Sequence, residues 1–373
     1  MVWARTMRIL FVTSNRLGDA ILSTGLLDHL IRTYPDCRIT VVCGPVAAEL
    51  FACMPNCERV IVLDKRRWSL HWPLLWAVAA RRRWDKVVDI RGSGLAWMVR
   101  ANRRAVMRSR PGHKLSQLAA VLGIDPPPLP VAWFSAKDAA RAAALLPPGL
   151  PPGRQAASPT AFSVGPQFGP PLVALAPTAN WTQKVWPAER FVALFRALAS
   201  GPLPGAVPLV LAGPGAEERA MAAPVLAALP EAIDLVGRLS LPEVAACLAR
   251  AALFVGHDSG LMHLAAAAGA PTLGLFGPTP ADEYAPAGRH SAVVIAMGRE
   301  MADLPVERAF AAAERLIARV TTIPPATPRP ATFTPATSSA TTPSPAPLNP
   351  LTSPRPDRHP TSSPAHTSPV PPA

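Results

Sequence analysis

The stretch VGHDSGLMHLAAAAGAPTLGLFGPT, residues 255–279, has the pattern of a strand end, a tight turn, a helix and a second strand. An apolar run closes at Val255, residues 258–260 are small or polar, an apolar helical segment follows, and residues 272–276 are again apolar. Short apolar runs separated by a helical segment are typical of parallel strands joined by a crossover helix. This stretch therefore predicts an α/β fold.

The same alternation occupies two halves of the chain. In the first half, residues 7–14 (MRILFVTS) have a strand pattern, and residues 19–33 carry a helical apolar face. Residues 147–171 are rich in Pro, Gly, Ser and Ala and show no period, and a new alternation starts at Leu172. The other runs interpreted as strands are 38–43, 60–63, 86–90, 172–176, 207–212, 232–236 and 253–255.

This arrangement predicts two Rossmann-like domains that face a cleft. We expect an N-terminal domain at 1–165 and a C-terminal domain at 166–320, with a linker at about 147–171. Ligands of such sheets bind beyond the carboxyl ends of the strands, so the chemistry is expected between the two halves.

The end of the chain has a different composition. The protein has 47 prolines, and an unusual share of them follows Ile323 in text such as PPATPRPATFTPATSSATTPSPAPLNP. A segment of this kind cannot bury enough apolar surface to offset the entropy lost on ordering. Residues 321–373 are therefore predicted to be a disordered tail.

Cysteine content and hydropathy favour a cytoplasmic protein without a structural metal. The five cysteines are odd in number and show no CxxC spacing, which favours a reducing compartment. The apolar run at 9–12 is too short for a signal-peptide core. No stretch reaches the roughly 18 uninterrupted apolar residues of a spanning helix, because the best one, 251–276, contains His257, Asp258 and His263.

The net charge of +13 is concentrated in the first half of the chain. Residues 1–165 hold 23 Lys and Arg against 10 Asp and Glu, whereas residues 166–320 hold 11 against 13. The basic and aromatic patterns of nucleic-acid-binding modules are absent, so nucleic acid is not an expected partner. The N-terminal half is expected to meet an anionic substrate or an anionic membrane surface.

The turn at 258–260 is the first candidate binding site. Asp258, Ser259 and Gly260 lie where the strand meets the helix, and His263 lies one turn further on. A helix N-terminus offers unpaired N–H groups and a partial positive charge, which suits a diphosphate. The alternative is that Asp258 is only an N-cap and that His263 is a packed core residue.

Two more candidates follow strands of the second half. Thr178, Asn180 and Lys184 lie in TANWTQKVWP, where a lysine could neutralise a leaving phosphate and small polar side chains could bind its oxygens. Glu217 lies in LAGPGAEE, near a helix start, where it could meet a ribose or a base. The alternatives are a solvated lysine before a helix and a glutamate that merely favours the helix dipole.

In the first half the candidate is Asp19, in TSNRLGDAILST after the first strand. A carboxylate at this turn would face the cleft and could accept a proton from an acceptor hydroxyl, although it could also simply start the helix. The turn lacks GxGxxG, and the chain lacks GxxxxGK[ST] and GxSxG, which argues against dinucleotide redox, P-loop and hydrolase chemistry.

Together these blocks resemble glycosyltransferase family 9, the heptosyltransferase family of the GT-B fold. The resemblance covers nearly all of residues 7–320. It is carried, in the order in which the family has them, by SNRLGDAILST, VVDIRGSG, TANWTQKVWP, LAGPGAEE and VGHDSGLMHLAAAAGAPTLGLFGPT.

The resemblance implies an inverting transfer from ADP-L-glycero-D-manno-heptose to the inner core of lipopolysaccharide, without a cofactor or a metal. It implies that Asp19 is the general base, that Lys184 contacts the diphosphate and that Glu217 lies near the nucleoside. The donor-binding turn would be Asp258, Ser259, Gly260 and His263, with Ser259 where the family usually has Thr. Ala179 and Asn180 stand where heptosyltransferases of the first type have a pair of threonines.

Other functions stay open from the sequence. The chain could use another nucleotide sugar or acceptor, or it could be a GT-B-like sugar-nucleotide epimerase, which the basic N-terminal half disfavours. A non-catalytic membrane scaffold is disfavoured by the presence of Asp19, Lys184, Asp258 and His263.

The segment KRRWSLHWPLLWAVAARRRW, residues 65–84, predicts contact with the cytoplasmic face of an anionic inner membrane. On a helix, Trp68, Trp72 and Trp76 would share a face, and basic residues flank them. Tryptophan beside clustered arginine suits the headgroup region, where a lipopolysaccharide core or lipid A acceptor would be met. Pro73 interrupts the helix, and the alternative is that this segment packs on the first sheet.

Overall fold

The strands form two separate parallel sheets. The computed structural model describes residues 6–63, 79–150, 169–298 and 300–322. Within these residues one sheet has five strands, in the order β3 (Cys57–Val62), β2 (Arg38–Cys43), β1 (Arg8–Val12), β4 (Trp84–Asp89) and β5 (Ala101–Val106). The other has six, in the order β11 (Ser291–Ile295), β10 (Thr272–Phe276), β9 (Leu253–His257), β6 (Leu172–Ala176), β7 (Val207–Val210) and β8 (Ile233–Asp234). The predicted α/β fold with two Rossmann-like sheets is thus confirmed.

The first sheet is built on β1, which is central and buried. Phe11 of β1 pairs in register with Val41 on one side and Val88 on the other. Central parallel strands are covered by helices on both faces, which explains their continuous apolar text. The elements are β1 (Arg8–Val12), α1 (Leu17–Leu22), α2 (Thr24–Thr33), β2 (Arg38–Cys43), a 3₁₀ helix (Pro45–Phe51), β3 (Cys57–Val62), β4 (Trp84–Asp89), α3 (Leu95–Met98), β5 (Ala101–Val106), α4 (Lys114–Leu122) and α5 (Ala136–Leu145).

The second sheet is centred on β9 and β6, which pair in parallel and are buried throughout. Its elements are β6 (Leu172–Ala176), a 3₁₀ turn (Thr182–Lys184), α6 (Ala188–Ser200), β7 (Val207–Val210), α7 (Ala216–Ala228), β8 (Ile233–Asp234), α8 (Leu241–Leu248), β9 (Leu253–His257), α9 (Gly260–Ala267), β10 (Thr272–Phe276), α10 (Ala281–Tyr284), β11 (Ser291–Ile295), a 3₁₀ turn (Met301–Asp303) and α11 (Val306–Thr322).

Several strand limits differ from the prediction. The run at 253–255 continues to His257, so this histidine lies inside the sheet rather than in the turn. The runs at 207–212 and 232–236 end earlier, at Val210 and Asp234. Two edge strands, β5 and β11, were not predicted. The sequence of β5, ANRRAV, is polar, whereas that of β11, SAVVI, is mostly apolar.

Helices from both halves share one apolar core. Ile21 of α1 and Leu26 of α2 belong to the same buried cluster as Leu248 of α8 and Leu264 of α9. Backbone and side-chain hydrogen bonds cross between the halves as well: Ala132 N donates to Ala267 O at 3.2 Å, and Leu241 N donates to Glu49 Oε2 at 3.1 Å. The carboxyl ends of the two sheets are therefore held in a fixed relation.

Some sequence predictions lie outside the described residues. These are Trp68, Trp72 and Trp76, residues 151–168 of the linker, and the tail from residue 323 onward. Thr321 and Thr322, which the sequence assigned to the tail, end α11. In the part of the chain that is described, no helix is long and apolar enough to cross a membrane.

Candidate active site

Two strand-to-helix turns, one from each half of the chain, meet at two glycines. A Cβ atom on Gly18 would lie 3.0 Å from Cδ2 of His263, and one on Gly260 would lie 2.7 Å from Cδ2 of Leu17. Both distances are shorter than ordinary packing allows, so the absence of a side chain lets α1 and α9 approach at their N-terminal ends. The turn that carries Asp19 and the turn at 258–260 are thus brought together.

Asp19 lies in the first turn of α1 and is half-buried. The hydroxyl of Ser14 donates a hydrogen bond to its Oδ2 at 3.2 Å. Its charge acts on two groups of the second half. Burial lowers the pKa of His263, and the charge of Asp19 opposes this shift. Burial and the contact with Glu283 raise the pKa of Tyr284, and the charge of Asp19 adds to this shift. A carboxylate with one weak donor and a partly open face can accept a proton from a bound hydroxyl.

Lys184 and Asp258 form an ion pair that is shielded from water. Lys184 Nζ lies 2.8 Å from Asp258 Oδ2, and the two side chains are 16% and 11% exposed. Asp258 is not the N-cap of α9, because Ser259 occupies that position. The alternative of an N-cap role for Asp258 is therefore wrong, and the pair places a cation at the carboxyl end of β9.

His263 is almost fully buried beside this pair, with Nε2 3.9 Å from Asp258 Oδ1. Burial lowers its pKa to about 4, while the charges of Asp258 and Asp19 oppose the shift. His263 is therefore neutral at neutral pH. Among the described residues, neither its Nδ1 nor the buried hydroxyl of Ser259 has a hydrogen-bond partner. Buried polar groups of this kind are usually paired.

Thr178 is buried, and its hydroxyl donates to Glu218 Oε2 at 2.5 Å. The N–H of Gly213 donates to the same oxygen at 3.1 Å, so one carboxylate joins the loops that follow β6 and β7. Glu217 is exposed. Adjacent residues of a helix point about 100° apart, so Glu217 points away from the cluster that Glu218 contacts. The structure thus brings Glu218, and not the predicted Glu217, to this cluster. Asn180 is also exposed, on the loop between Thr178 and Lys184.

Sequence reasoning gave no role to His257, which is fully buried at the end of β9. The N–H of Trp186 donates to its Nε2 at 2.8 Å, and its Nδ1 lies 3.3 Å from the carbonyl oxygen of Thr178. Because Nε2 accepts, Nδ1 carries the proton and donates. Burial lowers the pKa of His257 to about 4, the hydrogen bond to Thr178 opposes this, and the charge of Lys184 adds to it.

Two cavities border the site. One of about 830 Å³ is lined by the loop that carries Lys184, by residues 277–280 after β10 and by residues 300–302. A second of about 460 Å³ lies where Arg110 and Lys114 of the first half face Asp282 and Glu283 of the second. Within the described residues, no three His, Cys, Asp or Glu side chains are grouped as metal ligands.

The chain is similar to known glycosyltransferases in sequence and in fold. The family described as glycosyltransferase family 9 (heptosyltransferase) matches residues 113–311. Lipopolysaccharide heptosyltransferase 1 of Pseudomonas aeruginosa is 31% identical over 293 residues, which cover 73% of this chain and 79% of that protein. Lipopolysaccharide heptosyltransferase 2 of Salmonella typhimurium is 27% identical over 319 residues, which cover 78% and 88%.

Solved structures show the same fold. A family 9 glycosyltransferase from Veillonella parvula superposes with a TM-score of 0.69 at 22% identity, over 84% of this chain and 97% of that one. An E. coli heptosyltransferase solved with ADP gives 0.62 at 20% identity, over 84% and 100%. The chain belongs to glycosyltransferase family 9 and is a glycosyltransferase of the GT-B fold.

Proposed function

We propose that this glycosyltransferase transfers a heptose from ADP-L-glycero-D-manno-heptose to the inner core of lipopolysaccharide, with inversion at the anomeric carbon. One observation carries the proposal. Asp19 and the Lys184–Asp258 pair, which lie on different halves of the chain, both act on the buried His263 at the meeting point of α1 and α9. A base and a cation at one site are what a single displacement requires.

On the donor side, Lys184 contacts the diphosphate and balances the charge that develops as it leaves. The N-terminal N–H groups of α9, together with the hydroxyl of Ser259, bind phosphate oxygens. Thr178 and Gly260 are the further donor contacts that we propose in this half. The carboxylate of Glu218 shapes the neighbouring loops, whereas Glu217 and Asn180 remain predicted donor contacts on the exposed side.

On the acceptor side, Asp19 is the general base. It removes the proton of the acceptor hydroxyl as that oxygen attacks the anomeric carbon, and the bond from this carbon to the phosphate oxygen breaks. The electron pair leaves with ADP toward Lys184. Positioning of the two substrates and stabilisation of the leaving charge supply most of the rate. The reaction needs no redox cofactor.

The identities of donor and acceptor are supported by the relatives. Two are lipopolysaccharide heptosyltransferases by name, and one structural neighbour is a heptosyltransferase with ADP. The basic excess of residues 1–165 favours an anionic acceptor, as the phosphates and carboxylates of the lipopolysaccharide core would provide.

The proposal includes work at the cytoplasmic face of the inner membrane. Arg81, Arg82 and Arg83 are exposed, and Arg82 pairs with Glu58 at 2.8 Å. They are expected to bind anionic vesicles in a salt-sensitive manner. Replacement of all three by Ser should reduce the amount of protein that sediments with anionic vesicles at low salt. Equal binding of both proteins, or binding by neither, would contradict the membrane role.

A donor screen tests the proposed function directly. The enzyme is incubated with ADP-heptose, other ADP-sugars and UDP-sugars, with and without a heptose-free lipopolysaccharide core, and the released nucleotide and the extended acceptor are measured. We expect acceptor-dependent release of ADP from ADP-heptose. Preference for another nucleotide sugar would reassign the donor, and acceptor-independent conversion of the donor would indicate an epimerase.

A further inference from the structure

The loop that presents Lys184 is held at both of its ends by one side chain. It leaves β6 at Ala176 and enters α6 at Ala188, and its middle residues 180–183 are exposed. Its first anchor is the carbonyl oxygen of Thr178, and its second is the N–H of Trp186. Both bond to the ring of His257, so this imidazole closes the base of the loop.

The second anchor is itself rigid. Trp186 is fully buried, and its Nε1 donates to the carbonyl oxygen of Leu304 at 2.9 Å. The ring of Phe191 packs edge-on against both Trp186 and His257, with centroids 5.1 and 5.3 Å away. The imidazole therefore lies in a packed pocket, where it has little freedom to follow a moving loop.

His257 and Asp258 are consecutive residues at the end of β9 and contact the two parts of the same loop. Successive side chains of a strand point to opposite sides. The imidazole is thus directed to the base of the loop, while the carboxylate reaches Lys184 Nζ at 2.8 Å. Two residues at the end of β9 therefore hold Lys184 in position: His257 through its hydrogen bonds to the base of the loop, and Asp258 through the ion pair.

We propose that His257 is a positioning residue that fixes the loop of Lys184 in the place where the donor's diphosphate is bound. This inference rests on the proposed function, because it takes Lys184 as the diphosphate contact. A neutral imidazole suits the task since it is a rigid ring with an acceptor on one side and a donor on the other. A protonated ring would turn an N–H toward the N–H of Trp186 and lose that anchor.

Three variants separate the two hydrogen bonds from the packing. His257→Phe keeps the ring volume and removes both bonds, His257→Asn keeps a donor toward Thr178, and His257→Gln keeps an acceptor toward Trp186. Phe191→Leu is the matched control, because it loosens the same pocket and leaves both bonds in place. ADP affinity is measured by calorimetry, melting temperature by scanning fluorimetry, and hydrogen exchange on the peptide that contains residues 178–187.

We expect His257→Phe to weaken ADP binding about tenfold, which is about 1.4 kcal/mol. It should lower kcat and leave the acceptor KM unchanged, and exchange in the 178–187 peptide should become faster. His257→Gln should recover part of the ADP affinity, because it satisfies the buried N–H of Trp186. Phe191→Leu should lower the melting temperature and leave ADP affinity close to that of the wild type.

Two results would overturn the inference. One is that folded His257→Phe binds ADP as tightly as the wild type does. If His257→Phe does not fold, the same result for both His257→Gln and His257→Asn would overturn it. The other is a loss of affinity in Phe191→Leu that matches His257→Phe at the same fall in melting temperature. A wild type that does not bind ADP would instead refute the proposed function, and the exchange rates would still decide whether His257 holds the loop.

Discussion

Each half of the molecule has an aspartate where a strand is joined to the following helix, and the surroundings of the two differ. Asp19 follows β1, is half-buried and accepts a hydrogen bond from Ser14 at 3.2 Å. Asp258 follows β9, is 11% exposed and pairs with Lys184 at 2.8 Å. The first carboxylate has a face open to a proton donor, whereas the second is committed to a cation. This difference is the reason that we propose proton transfer for Asp19 and charge neutralisation for the Lys184–Asp258 pair.

Loss of the open carboxylate should have the largest effect. Asp19→Asn keeps the size of the side chain and removes its basicity, so we expect turnover to fall by about 10²–10⁴-fold. ADP affinity should stay within about twofold, since we propose that Asp19 acts on the acceptor. Steady-state kinetics and calorimetry measure the two quantities. Near-normal turnover would show that another group takes the proton.

Loss of the Lys184–Asp258 ion pair should affect donor binding and donor kinetics. Lys184→Ala removes the cation that stabilises the leaving diphosphate, and kcat/KM for the donor should fall by about 10²–10³-fold. It also leaves Asp258 shielded and unpaired, so the double variant Lys184→Met, Asp258→Asn should be more stable than Lys184→Ala alone. Donor kinetics and melting curves of both variants test this. Unchanged ADP affinity and unchanged turnover in Lys184→Ala would refute the assignment.

A matched pair of glutamates sharpens the comparison within the second half. Glu218→Ala removes the acceptor for the Thr178 hydroxyl and the Gly213 N–H, and should cost about 1–3 kcal/mol of unfolding free energy. Glu217→Ala, one residue away and exposed, should stay within about 0.5 kcal/mol. Urea denaturation measures both. Equal losses would mean that the two loops are not joined through Glu218.

The parts of the fold that were predicted correctly share one physical property. Strands such as β6 and β10 are buried on both faces, so their sequences are continuously apolar and are easily recognised. The polar sequence of β5, with Arg103 and Arg104, does not predict a strand. β11 was also missed, although its sequence SAVVI is apolar. Local burial is visible in the sequence, but pairing at a sheet edge is decided by tertiary contacts.

The site follows the same division. The turn at 258–260 could be predicted because a strand end, a small polar turn and a helix start are adjacent in the chain. The choice between Glu217 and Glu218 depends on the rotational phase of α7 relative to Thr178, which no local pattern records. The role of His257 depends on β9 running two residues further and on hydrogen bonds to residues 71 and 79 positions away.

The last prediction is a dependence of stability on pH, which arises from the two buried imidazoles near the turn at 258–260. Burial lowers the pKa values of His257 and His263 to about 4, from 6.5 when unfolded. Lys184 acts on both rings in the same direction, while Asp258 and Asp19 oppose the shift of His263 and His113 adds to it. Between pH 6.5 and about 4 the unfolded chain binds more protons than the folded one. The free energy of unfolding that these histidines contribute is therefore fully present above pH 6.5 and decreases as the pH is lowered through this window. Each histidine contributes a slope of up to about 1.4 kcal/mol per pH unit. Urea denaturation at a series of pH values should therefore give a shallower slope for His257→Gln than for the wild type, whatever the variant's absolute stability. An equal slope in both proteins would mean that His257 is not held neutral. A buried neutral imidazole at His257 would then no longer distinguish the turn at 258–260 from the turn of Asp19.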